Sequence, residues 1–228
     1  MHSVINTCFD EVIWNKLVQS GKKKTFEKGE KILIRGKASP GLICLIKGKV
    51  KISSEISNGH ERIFGLLVAP TMFGETEAFD SGPCMISATA LSKAEISVVA
   101  LTDIKRLIAE NPEIAYFIIQ SIGIKLRWTT FQAEDMTNQR VGCRLANLLL
   151  GHGKYAVFTY RHDTKVLSIT HEEIAQFIGS TRPKVTILLR EFARKGFIES
   201  RRGEIGILNE KALQEYLEFQ QLSDRSRS

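Results

Sequence analysis

The segment LSITHEEIAQFIGSTRPKVTILLREFARKGFIESRRGEIGIL, residues 167–208, leaves few folds open. Thr170 and Glu173 have the S/T-x-x-E spacing of a capping box, which opens a helix over HEEIAQFI. Gly179 supports the positive φ of a tight turn, and Ala175, four residues earlier, is small enough for two helices to cross closely. A second helix follows, with Thr181 expected to cap it and Pro183 in its first turn, where a missing N–H is tolerated. Val185, Leu188, Leu189 and Phe192 then fall on one face. Pro183, Thr186, Ile187, Arg190 and Arg194 fall on the other, with Arg182 and Lys184 at the leading end. Two short strands around Arg202-Gly203 complete a wing. The order of parts is that of a winged helix-turn-helix, in which the first helix braces and the second enters the major groove.

Charge agrees with a polyanionic partner. The chain carries a net charge of +7. Between Arg182 and Arg202 there are seven basic residues against two acidic ones, Glu191 and Glu199. The expected DNA contacts are Thr170, Thr181, Arg182, Lys184, Thr186, Ile187, Arg190, Arg194, Arg201 and Arg202. Arg182 suits a guanine edge and Ile187 a thymine methyl, while the hydroxyls and the remaining cations suit phosphates.

The first half of the chain reads differently. From about Lys24 to Leu101, short apolar, β-branched runs alternate with glycine-bearing turns, and Asn58-Gly59 is a strong hairpin signal. Their number and brevity predict a small antiparallel roll or barrel. Within it TMFGETEAFDSGPCMISATA, residues 71–90, joins glycines and the acidic pair Glu75 and Glu77 but has no lysine or arginine. The simplest reading is that Gly74-Glu75 merely closes the roll. The functional reading is a pocket for a small polar ligand.

At Thr102 the period lengthens. Thr102-Asp103 is expected to cap a short helix, and Asn111-Pro112 restarts the chain into EIAYFIIQSIGIKLRWTTFQAEDM. Ile114, Phe117, Ile118, Ile122, Ile124, Trp128 and Phe131 cover more than one face of that helix, which calls for two partners: the roll and a second copy of the helix. A single helix buried within a monomer is the competing arrangement. From Asn138 another amphipathic helix leads into the second domain. The expected organisation is an α+β chain of three parts: a β-roll over 1–110, a dimerisation helix and hinge over 111–137, and a winged helix-turn-helix over 138–228.

FEKGEKILIRG, CLIKGKVKI, FGETEAF, ENPEIA and THEEIAQFIGSTRPKVTILLREF, taken together and in this order, resemble the CRP/FNR family of bacterial transcription regulators over nearly the whole chain. The resemblance implies a jelly-roll-like effector domain, a long dimerisation helix and a winged helix-turn-helix, acting as a homodimer on palindromic double-stranded DNA. RNA polymerase is an implied partner if the protein activates. In the family's best-known members an Arg-Glu pair and a second arginine read a TGTGA-like half-site. Here Arg182 matches the first position, but Pro183 and Ile187 replace the others. Members that bind cyclic AMP use a cassette resembling F-G-E-L followed by R-S-A. Phe73-Gly74-Glu75 matches its first half and Thr129-Thr130 matches a Thr-Ser pair that meets the adenine. Met85-Ile86-Ser87-Ala88 lacks the phosphate-binding arginine. Phe73, Gly74, Glu75, Thr76, Met85, Ile86, Ser87, Thr129 and Thr130 are therefore expected around a small-molecule effector of unknown identity. A buried phosphodiester without a cation is costly, so cyclic AMP is disfavoured, and Met85, Ile86, Phe73 and Phe79 point to a more apolar ligand.

Other classes fit less well. A metal oxygenase in a small barrel needs two or three histidines with a carboxylate, and the roll offers only His60. No nucleophile–base constellation is visible, so no catalytic residue and no enzyme activity are expected. Cys8, Cys44, Cys84 and Cys143 are scattered without metal-ligand spacing, and are expected as reduced, apolar-like thiols with no metal or iron–sulfur cluster. A ligand module with a protein-binding second domain is the third reading. No apolar run is long enough to span a bilayer and no export signal is visible, so a cytoplasmic location is expected.

Overall fold

A computed structural model describes residues 10–55, 61–138, 140–151, 158–161, 164–201 and 203–225, in two compact units, Met1–Thr129 and Thr130–Ser228. The first unit runs α1 (Glu11–Ser20), β1 (Lys22–Phe26), β2 (Lys31–Leu33), β3 (Leu42–Lys47), β4 (Lys49–Glu55), β5 (Glu61–Val68), β6 (Thr71–Phe73), α2 (Glu75–Asp80), β7 (Ser87–Ala90), β8 (Ala94–Val99) and α3 (Leu101–Glu110). It also holds most of α4 (Glu113–Asn138). Two four-stranded antiparallel sheets, ordered β1-β8-β3-β6 and β2-β7-β4-β5, form the roll expected from the alternating runs, jelly-roll-like as the family resemblance implies. The β4–β5 pair closes at Glu55 opposite Glu61; the Asn58-Gly59 turn lies outside the described residues, as do His60 and Cys8.

Strand β3 shows why the roll needs helices on one side. Leu42, Ile43, Cys44 and Leu45 are all fully buried. Side chains alternate across a strand, so such a run must be covered on both faces. Leu42 and Cys44 join a cluster with Trp14 and Leu17 of α1, Ile104 and Leu107 of α3, and Ile114, Phe117 and Ile118 of α4. That cluster fixes the first turns of α4 against the roll.

Two local expectations are corrected. Helix α3 starts at Leu101, with Ala100 at its N-cap and no side-chain cap, so Thr102 and Asp103 lie inside the first turn. Asp103 instead pairs with Arg106 at 3.4 Å, and Arg106 reaches Glu110 at 3.2 Å. The helix expected from Asn138 begins three residues later. Asn138 ends α4, Arg140 is an N-cap, and α5 spans Val141–Leu150.

The second unit holds the end of α4, then α5, β9 (Phe158–Arg161), β10 (Thr164–Ser168), α6 (His171–Ile178), α7 (Arg182–Arg194), β11 (Ile198–Arg201), β12 (Glu204–Ile207) and α8 (Glu210–Arg225). Its strands make one antiparallel sheet in the order β11-β12-β10-β9, larger than the two-stranded wing expected. The core gathers Leu145 and Leu149 of α5, Ile174 of α6, Val185, Leu189 and Phe192 of α7, and Leu213 of α8. Phe192, Phe197 and Tyr216 interlock, with ring centroids 5.1–6.2 Å apart. Helix α5 approaches α8 so closely that a Cβ at Gly142 would lie 2.5 Å from the Tyr216 hydroxyl.

Candidate functional site

The helix-turn-helix is built by local chemistry. The Thr170 hydroxyl accepts from the Glu173 N–H at 3.2 Å while Glu173 Oε2 accepts from the Thr170 N–H at 2.8 Å, completing the capping box at the start of α6. At the other end Gly179 adopts φ +60°, and the Ser180 N–H returns to the Ala175 carbonyl at 2.9 Å. Helix α7 then departs from expectation at its first residue. Thr181 is the N-cap by backbone, but its side chain makes no capping hydrogen bond. An N-cap hydroxyl accepts from the second or third helical N–H, and Pro183 occupies the second position without one.

Val185, Leu188, Leu189 and Phe192 are buried, and Arg182, Pro183, Lys184, Arg190 and Arg194 are exposed, matching the two expected faces. Ile187 is 59% exposed in the middle of the basic face. Thr186 is half-buried: its hydroxyl donates to the Arg182 carbonyl at 3.0 Å and lies 3.0 Å from His171 Nδ1. The hydroxyl has one proton, so with that proton on the Arg182 carbonyl the imidazole is the donor. Sequence reading missed His171, because nothing in the spacing of residues 171 and 186 marks a cross-helix pair. In the wing Arg201 is exposed and paired with Glu199 at 3.2 Å, and Arg161 pairs with Glu204 at 3.3 Å. These four residues with Thr164, Val166 and Gly206 line a cavity of about 290 Å³. Arg202 lies outside the described residues.

In the first unit the expected effector residues separate into buried and surface groups. Phe73 is 2% exposed at the end of β6, Gly74 takes φ +80°, and Glu75 begins α2 at 4% exposure. Glu75 Oε1 accepts from Ser121 Oγ at 3.1 Å and forms an ion pair with Lys125 Nζ, both from α4. Lys125 Nζ also donates to the Met72 carbonyl at 2.7 Å. The cation missing from residues 71–90 thus arrives from 50 residues downstream. Thr129 Oγ1, one turn later, is exposed and donates back to the Lys125 carbonyl at 3.0 Å. Thr130 begins the second unit.

The apolar lining expected around Met85 and Phe79 is not there: Met85 is 70% exposed and Phe79 is 44% exposed. The Met85 backbone N–H donates to buried Glu77 at 3.2 Å, which ties that loop to α2 and leaves the thioether outside. Thr76 is exposed, and Ile86 and Ser87 are half-buried. Ser87 Oγ accepts from the Arg35 N–H at 3.1 Å. Cys44, Cys84 and Cys143 are buried free thiols. Burial pushes the Cys44 thiol up to about 12, with the nearby Glu75 charge adding to it, so it stays protonated. Among the described residues no three His, Cys, Asp or Glu side chains gather as a metal site, and no helix is long and apolar enough to cross a membrane.

Comparison with known proteins agrees with this geometry unit by unit. Residues 23–111 match the model of the cyclic nucleotide-binding domain, and residues 143–216 match that of the Crp-like helix-turn-helix domain. A CRP-like cAMP-activated global transcriptional regulator of Mycobacterium tuberculosis is 30% identical over 179 residues, covering 76% of this chain and 78% of that protein. A global nitrogen regulator of Synechococcus elongatus is 27% identical over 191 residues, covering 82% and 86%. The crystal structure of a CRP/FNR-family transcriptional regulator from Thermus thermophilus superposes with a TM-score of 0.72 at 25% identity, over 87% of this chain and all of that one. A cyclic nucleotide-binding-like roll joined to a Crp-like helix-turn-helix, with a relative of that kind across three quarters of the sequence, makes this chain a member of the CRP/FNR family of transcription regulators.

Proposed function

We propose that the protein acts as a homodimer on a palindromic DNA site, its affinity set by a small molecule other than cyclic AMP held between the β-roll and α4. The observation that carries the DNA-binding part is the exposed face of α7, where Arg182, Ile187, Arg190 and Arg194 stand out from a helix anchored by four buried side chains. Arg182 reads a base, Ile187 touches a thymine methyl, and Arg190, Arg194, Lys184, Thr181 and the wing arginines position the helix on phosphates. Thr186, engaged with His171 and the backbone, contributes by holding the first turn of α7. The working parts are the roll over residues 1–110, the helix and hinge over 111–137, and the DNA-binding domain over 138–228. The chain binds and does not catalyse, and RNA polymerase becomes a partner where the site lies suitably for activation.

Arg182→Ala is expected to lose roughly 1–3 kcal/mol of discrimination at one base pair. Binding to a library of single-base variants of a selected site measures this. Equal weakening on every duplex, scrambled ones included, would remove Arg182 from base reading.

The dimer reading rests on α4. Tyr116, Ile119, Ile122 and Leu126 are 59%, 62%, 40% and 65% exposed and recur every three or four residues, the spacing of a coiled-coil seam. The effector reading rests on charge. Lys125 is the cation beside the cassette, and Glu75 already neutralises it. That pair would offer an entering phosphodiester no net positive charge. Ile86→Arg, which restores the cation of the cyclic-AMP cassette, is expected to give cyclic AMP binding by calorimetry where the parent chain gives none. Binding by the parent chain would return cyclic AMP as the signal.

A further inference from the structure

Two polar side chains one turn apart on α5 reach in opposite directions, Asn147 to the last turns of α4 and Arg144 to the helix-turn-helix, and DNA contact uses neither. All of these residues lie in the second unit. Asp135 of α4 accepts from Asn147 Nδ2 at 2.8 Å, and Asn147 is 4% exposed. One turn earlier on the same face of α5, Arg144 donates from Nε to the Ile178 carbonyl at 2.8 Å and from Nη2 to the Gly179 carbonyl at 3.2 Å. These are carbonyls at the end of α6, which no further helical N–H satisfies, and a cation there also meets the negative end of the helix. Arg144 therefore holds the turn that sets α7 against α6.

Asp135 sits where a carboxylate is unfavourable. Burial pushes its pKa up to about 6, against the Asn147 hydrogen bond and the Arg144 charge, which lower it, while Glu134 on its own helix adds to the rise. Burial likewise lowers the pKa of Arg144, and the Asp135 and Cys143 groups oppose that. A carboxyl with a raised pKa stabilises the fold below about pH 4, and that contribution is lost as pH rises through about 6. At pH 7.5 the ionised group thus weakens the unit that keeps it.

We propose that Arg144 is a positioning residue for DNA reading and that Asp135 controls it. Ionised Asp135 holds the guanidinium over the Ile178 and Gly179 carbonyls, and a proton on Asp135, or a displacement of the α4 end, slackens the turn and blurs the placement of α7. Discrimination between DNA sequences then falls, while phosphate binding persists.

The test uses the full chain, a duplex it selects from a random-sequence pool, and a scrambled duplex of equal length, from pH 5.0 to 7.5. In the parent chain the ratio of specific to scrambled affinity is expected to fall about tenfold toward pH 5.0, with a midpoint near 6. D135N is expected to show the low ratio at every pH with unchanged scrambled affinity, and to melt a few degrees higher than the parent at pH 7.5 but not at pH 5.0. R144K, which keeps the charge but loses the two-pronged geometry, is expected to give a low ratio independent of pH. A D135N chain that keeps the parental ratio and its pH dependence overturns the proposal. So does a D135N chain less stable than the parent at pH 7.5, or one that loses scrambled and specific binding together.

Discussion

Replacing Lys125 by methionine is expected to destabilise the β-roll unit by about 3–5 kcal/mol, because it strands a carboxylate that the fold has already removed from water. The Glu75 side chain is 6% exposed and that of Lys125 23%. Ser121 alone would remain to solvate the charge. Lys125 also ties α4 to the Met72 carbonyl at the end of β6, so its loss loosens the helix from the strand that leads into the cassette. Urea unfolding measures the effect. The double variant E75Q/K125M should recover most of the loss, since an uncharged pair leaves no buried charge unpaired. If the double variant is as unstable as the two single losses added, the ion pair is not what Lys125 contributes.

The second large effect concerns assembly. Aspartates at Ile119 and Ile122 would put four charges into the seam of the proposed dimer, two from each helix. The chain is expected to sediment as a monomer and to lose at least about 100-fold in affinity for a palindromic duplex. Two linked half-site contacts gain on the order of 10²–10⁴ over one, and a monomer forfeits that gain. Binding to a single half-site should change little. A variant that still sediments as the parent does would place the seam elsewhere.

These two sites also mark where sequence reading succeeds and stops. The two faces of α7 were legible because helical spacing alone puts Val185 and Leu189 on a common face, whereas of the exposed stripe on α4 only Ile122 was among the apolar residues singled out in the sequence, and Tyr116, Ile119 and Leu126 were not. The α6 capping box was legible for the same reason: Thr170 and Glu173 meet within one turn. The partner of Glu75 was not. Lys125 lies 50 residues away, and only the packing of Ile114, Phe117 and Ile118 on β3 and its neighbours brings it there. Thr181 has the residue type of a cap, but the proline two positions on removes one of the two N–H groups such a cap uses. Composition around Met85 and Phe79 suggested an apolar pocket. Which side of a loop a thioether takes depends on the Met85 N–H finding Glu77, a contact outside any local pattern. Helix α8 and the strands β9 and β10 escaped for a similar reason, since their role is to close the sheet and the Phe192–Phe197–Tyr216 cluster around an already recognisable motif.

The proposed function rests on sequence-specific DNA binding by two copies of α7. Selection of duplexes from a random pool by the full chain, followed by affinity measurements across salt concentrations, tests this most directly. The expected product is an inverted repeat whose half-sites are centred about 10–10.5 bp apart, one helical turn, with log affinity falling steeply and linearly against log salt. Recovery of sequences with no shared or repeated element, bound no more tightly than scrambled DNA, would contradict it.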